Sequence, residues 1–146
     1  AFAGCKALEE INIPSHLNII DKSAFRNSGL KSLNIEISDG GKCLVYDKAF
    51  ASCKHLESVY LNKNVKIVER MAFADCTSLK TIEFEQPSLT CCAGEINATM
   101  LIGCTSLEKI IVPKNKYNHY PDFNIQGYES AQFETRDFNS LVTPKE

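Results

Sequence analysis

The chain repeats itself. Ala-Phe opens four segments, at Ala1-Phe2, Ala24-Phe25, Ala49-Phe50 and Ala72-Phe73, and Leu101-Ile102 stands at the corresponding place in a fifth. Aligned, the segments read AFAGCKALEEINIP, AFRNSGLKSLNIEI, AFASCKHLESVYLN, AFADCTSLKTIEFE and LIGCTSLEKIIVP. Their anchor leucines are Leu8, Leu30, Leu56, Leu79 and Leu107, separated by 22, 26, 23 and 28 residues. Self-similarity at this period marks supersecondary units that cannot bury their apolar faces alone and must stack on one another. The second step carries an extra Asp39-Gly40-Gly41, a turn signal read as a loop insertion, and the last carries a second insertion from Pro87 to Gly94.

Each unit has a physical reading. In Leu8-x-x-Ile11-x-Ile13 the last three residues alternate, which predicts a short strand with one buried face. The inward set recurs as Leu30/Leu33/Ile35, Leu56/Val59/Leu61, Leu79/Ile82/Phe84 and Leu107/Ile110/Val112, with Pro14 and Pro113 ending their strands. A second apolar group precedes each Ala-Phe: Leu17 and Ile20, Leu44 and Val45, Val65 and Val68. The Ala-Phe-x-x-Cys piece is expected to form a turn of α- or 3-10 helix that tucks its ring and its small residue inward. Stacked units with parallel strands about 4.8 Å apart would bury all of these residues together. The expected fold is therefore α/β: a right-handed leucine-rich-repeat solenoid with short parallel strands and short helical or 3-10 turns, of about five coils over residues 1–113.

The pattern Ala-Phe-x-x-Cys-x-x-Leu-x-x-Ile-x-Ile-Pro-x-x-Leu-x-x-Ile resembles the BspA-like leucine-rich-repeat family. It is matched by Ala1 to Ile20 and, with substitutions, by Ala49 to Val68. The resemblance implies a protein exposed on a cell surface or secreted, adhering to matrix proteins or to other cells. Its partner would be a protein or glycan on a host or neighbouring cell surface. The sequence departs from the pattern where Ser28 replaces cysteine, in a unit one residue shorter before its leucine, and at its two insertions.

Ala1 falls inside a repeat, so the chain reads as one end of a longer protein, and it shows no basic start or apolar run of a signal peptide. No apolar run approaches the roughly 20 residues of a membrane-crossing helix. A net charge of -2 gives no electrostatic reason to bind nucleic acid or an anionic membrane. After Lys114 the repeat fades, and Tyr117, Tyr120, Phe123, Tyr128, Phe133 and Phe138 follow. Residues 114–138 are read as a C-terminal cap whose rings cover the last coil, and 139–146 as a polar, disordered tail.

Seven cysteines invite a search for chemistry. Cys5, Cys53, Cys76 and Cys104 recur at one repeat position, where each is best read as a small buried residue on one rung of a ladder. For Cys43, Cys91 and Cys92 two readings stay open, a bridge from Cys43 to one of the other two or free thiols, with free thiols favoured. Cys91-Cys92 lacks the spacing and histidines of a zinc site. His16, His55 and His119 fall at different phases of the repeat and assemble no nucleophile–base pair. Scattered acidic residues give no carboxylate pair for glycoside hydrolysis, and Gly40-Gly41 lacks the helix and lysine of a phosphate loop. No catalytic residue, cofactor or metal is expected. Asn97-Ala98-Thr99 fits the glycosylation pattern, which matters only in a eukaryotic secretory setting.

The outward strand positions remain: Glu10, Asn12, Ser32, Asn34, Ser58, Tyr60, Thr81, Glu83, Lys109 and Ile111. Together they would make one sheet face, with Tyr60 and Ile111 as apolar anchors for a partner. The expected function is a non-catalytic protein-binding or adhesion module. The alternative is a structural spacer that presents another domain.

Overall fold

The computed structural model describes residues 2–85, 101–113 and 132–136. In chain order its strands are β1 (Ile19–Ile20), β2 (Ser32–Ile35), β3 (Cys43–Val45), β4 (Ser58–Leu61), β5 (Val65–Val68), β6 (Thr81–Phe84), β7 (Lys109–Pro113) and β8 (Gln132–Arg136). They form two sheets, and every pairing in both is parallel. The larger sheet runs β2-β4-β6-β7-β8 and the smaller β1-β3-β5. In the larger sheet β2, β4, β6 and β7 are each the Leu-x-Ile portion of a unit, and β8 follows the last of them. Each small-sheet strand is the second apolar group.

Register follows the repeat. Leu33, Val59, Ile82, Ile110 and Phe133 stand opposite one another across the larger sheet, and Ile20, Val45 and Val68 across the smaller. Because side chains alternate along a strand, this register sends one apolar set inward at every unit. Leu30, Ile35, Leu56, Leu61, Leu79 and Ile82 are fully buried there. Pro113 is the last residue of β7, where its missing N–H costs the ladder least.

The first unit departs from expectation. Residues 8–12 form no strand, and Leu8, Ile11 and Ile13 are only half-buried against the core. Among the described residues this unit rests on a neighbour on one side, through bonds such as the Lys31 amide to the Glu9 carbonyl at 3.1 Å. So few bonds to the neighbouring unit do not hold residues 8–12 in a strand.

The Ala-Phe segments are not helical either. They are successive hydrogen-bonded turns, Ala24 to Asp21, Arg26 to Ser23 and Ser28 to Phe25 in the second unit. Left-handed residues interrupt them: Ser23, Lys48 and Met71 two positions before the phenylalanine, and Asn27, Ser52 and Asp75 two positions after it. Gly4 and Gly103 take the same positive φ in the first and fifth units. A residue at φ near +60° cannot continue a right-handed helix, so the chain turns a corner instead.

That corner stacks unit on unit. The amides of Phe25 and Asn27 donate to the carbonyls of Ala49 and Ala51, and those of Phe50 and Ser52 to Ala72 and Ala74. The rings of Phe2, Phe25, Phe50 and Phe73 lie parallel in a column with centroids 5.2, 5.2 and 5.4 Å apart. The spacing is close to that of paired strands, so a ring in one unit meets the ring of the next. Phe50 and Phe73 are fully buried, and Phe2 is exposed at the end of the column. Beside the rings, the thiols of Cys53, Cys76 and Cys104 each donate to the phenylalanine carbonyl of the preceding unit at 3.1–3.3 Å.

Candidate functional site

The outward positions of the larger sheet form rows. Ser32, Ser58, Thr81 and Lys109 stand opposite one another in the first, and Asn34, Tyr60, Glu83 and Ile111 in the second. Beyond the strand ends a third row holds Glu36, Asn62 and Glu85, tied by the Asn62 amide to the Ile35 carbonyl and the Glu85 amide to the Leu61 carbonyl. The alternation that defines each strand thus persists for one more pair of residues, which is the sequence signal by which Glu36 and Glu85 could have been found.

Eight of the ten residues expected on this face lie on its strands. Ser32, Asn34 and Ser58 are exposed, and Tyr60, Thr81, Glu83 and Lys109 half-buried. Glu10 and Asn12 are exposed on the first unit, which has no strand to carry them. Ile111 is a correction: it is only 4% exposed and offers no apolar anchor to a partner. β7 lies between β6 and β8, and Ile111 stands opposite Glu83 and Glu134.

Tyr60 is the centre of the electrostatics. Its hydroxyl donates to the Glu85 carboxylate, whose other oxygen accepts from the Lys63 amide at 3.3 Å. Glu36 accepts from the Asn34 side-chain amide at 2.9 Å. Burial first, then the hydrogen bond to Glu85 and the charges of Glu85, Glu36 and Glu83, push the Tyr60 phenol well above its ordinary range. A rise with those causes means that the ring sits in a field of three carboxylates. Such a surface can accept cations and hydrogen-bond donors beside an aromatic face. It holds no nucleophile–base pair.

The other candidates resolve into packing. Cys43, Cys53, Cys76 and Cys104 are buried free thiols, whereas Cys5, expected to be buried on the same ladder, is exposed because it stands on the first unit. Burial pushes the Cys43 thiol up to about 11. Cys76 is pushed up by its hydrogen-bonded neighbours Cys104 and Cys53 and by burial. Ser28 takes the cysteine's place in the second unit and lies 3.4 Å from the Cys53 sulfur. The Asp39-Gly40-Gly41 insertion is a turn, closed by the Gly41 amide on the Ser38 carbonyl at 3.0 Å with Gly40 at φ 89°. Asn62 and Asn64 both donate to the Ile37 carbonyl at 2.9 Å, and Asn64 also to Asp39, fastening the insertion to the third unit. Cys91, Cys92, Asn97 and His119 lie outside the described residues, as does most of the expected cap. Among the described residues, no three His, Cys, Asp or Glu side chains are grouped to hold a metal ion, and no helix is long and apolar enough to cross a membrane.

A family model described as the BspA-type leucine-rich repeat region matches residues 1–126, in six copies. No curated protein and no solved structure matches the chain.

Proposed function

The chain belongs to the BspA-type leucine-rich repeat family, and from that premise we propose that it is a non-catalytic adhesion module of a cell-surface or secreted protein. Repeats of this family are generally protein-interaction and surface modules. Two parallel sheets joined by a corner of stacked turns suit a right-handed solenoid, because parallel crossovers are right-handed in about 98% of cases. The outer face of the larger sheet would be its binding surface.

One observation carries this reading: Tyr60 lies on that face among Glu36, Glu83 and Glu85. An aromatic ring flanked by carboxylates complements a lysine- or arginine-bearing segment, and complementary charge steers encounter and fixes register. The partner is therefore a protein on a host or neighbouring cell, presenting a basic segment to the sheet.

The test is a titration of the chain against purified matrix and cell-surface proteins, and against intact cells, at two salt concentrations. Saturable binding is expected that weakens with salt and falls by about tenfold or more in a Glu36→Lys, Glu83→Lys double variant. Salt-insensitive binding, unchanged by the double reversal, would remove this face from the reading. A spacer segment would give no saturable binding to any of the proteins or cells.

A further inference from the structure

The second unit is one residue short, and the shortfall leaves a cavity. Between the small residue of the turn and the anchor leucine, other units have two residues: Lys6-Ala7, Lys54-His55, Thr77-Ser78 and Thr105-Ser106. The second unit has Gly29 alone, between Ser28 and Leu30. The chain there lies tight against the first unit, with the Gly29 amide on the Cys5 carbonyl at 3.1 Å. A Cβ at Gly29 would stand 2.0 Å from the Lys6 carbonyl oxygen. Where the missing residue would have projected there is a notch of ≈ 90 Å³, lined by Lys6, Asn27, Ser28, Gly29, Lys54 and His55.

The lining is one-sided in charge. Lys6 and Lys54 occupy the same repeat position in the units on either side of the short one, and the later units have threonine there. No carboxylate lines the notch. Neither lysine has an ion pair to a described residue, in a chain whose net charge is -2. Elsewhere Lys31 pairs with Glu9 at 3.3 Å and Lys63 with Asp39 at 3.5 Å.

We propose that this notch is a binding site for a tetrahedral oxyanion, the phosphate or sulfate group of a ligand, held between the Lys6 and Lys54 ammonium groups with Asn27 and His55 as further donors. Two lysines contributed by the units on either side of the short one suit an anion with oxygens directed to both sides. The planar, two-pronged recognition of a carboxylate is the work of arginine, and none lines the notch. The site is at the turn corner, apart from the carboxylate-bearing sheet face, and would recognise chemistry of the opposite sign.

The test uses the full chain and two inorganic probes, sulfate and phosphate, with sodium chloride at matched ionic strength as control. Backbone amide shifts of Gly29 and Lys54 and the ring shifts of His55 are followed by nuclear magnetic resonance. Saturable shifts with sulfate or phosphate, absent with chloride, are expected. Lys6→Met and Lys54→Met are substitutions at exposed positions and leave the fold intact; each is expected to weaken binding by about tenfold. Insertion of one alanine after Ser28 restores the length of the other units and should abolish the shifts while keeping every cation. Shifts equal to those in chloride, or saturable binding unchanged in both lysine variants, would overturn the proposal. A sulfated disaccharide and a phosphoserine peptide then compete for the bound ion, and the one effective at lower concentration identifies the source of the group.

Discussion

The Tyr60 hydroxyl donates to the carboxylate of Glu85, a residue of the following repeat unit. The bond ties the third unit to the fourth across the outer face and holds the proton on the phenol. Folded Tyr60 therefore titrates above its value of about 10 in the unfolded chain. A group whose value rises on folding contributes stability that is fully present below the unfolded value and lost as pH climbs through the folded one. Ultraviolet difference titration should show one tyrosine ionising late, absent in Tyr60→Phe, and the variant's stability should change less between neutral and strongly alkaline pH. A Tyr60 that ionises at or below the ordinary value would contradict the arrangement.

Phe50 is fully buried with a parallel ring on each side, Phe25 and Phe73. Phe50→Ala should cost about 3–5 kcal/mol in chemical denaturation, because it removes the ring, opens a cavity and ends two ring contacts at once. Phe2→Ala is the internal comparison. That ring is 42% exposed and touches one neighbour, and its loss should cost about 1 kcal/mol or less. Equal costs at the two positions would mean that the column does not stack as described.

The thiols should divide by exposure. Alkylation under native conditions, mapped by peptide mass, is expected to label Cys5 promptly and to spare Cys43, Cys53, Cys76 and Cys104 until denaturant is added. Reaction needs a thiolate that solvent can reach, and Cys43 and Cys76 are both buried and pushed towards the protonated form. Prompt native labelling of Cys76 would count against the ladder.

Asn64 fastens the loop insertion. Asn64→Ala removes a hydrogen bond to the Ile37 carbonyl and another to Asp39, and should destabilise by about 1–3 kcal/mol. The hydrogen bond from Asn64, and then the Lys63 charge, hold the Asp39 carboxyl below the usual carboxylate range. Such a group contributes stability above its unfolded value and loses it as pH falls through the folded one. The stability difference between native protein and Asn64→Ala should therefore narrow under acid, and a constant difference down to low pH would refute the link.

Much of this was legible because a repeat states its rule several times. The inward leucines, the cysteine ladder and the glycine turn at Gly40 follow from spacing and residue type alone. Other features were not. A turn of helix was the natural expectation for Ala-Phe-x-x-Cys, yet bulky residues such as Lys48 and Met71 adopt a left-handed φ. Local preference argues against that conformation, and stacking on both neighbouring units overrides it. β8 escaped notice because five alternating residues among scattered aromatics carry little periodicity without a partner strand to pair with.

The period, the inward leucines and the family could be read from the residues alone, since those are properties of one unit copied along the chain. Tertiary structure decided which outward residues meet. Tyr60 reaches Glu85 only because β4 pairs with β6 in one register, and Ile111 is buried at a position that strand alternation alone turns outward. Lys6 and Lys54 are far apart in sequence and line one notch because a single absent residue brings the first and third units to its two walls. Spacing fixes what each unit buries. Exposure and proximity belong to the stack, because they depend on which neighbour covers each surface.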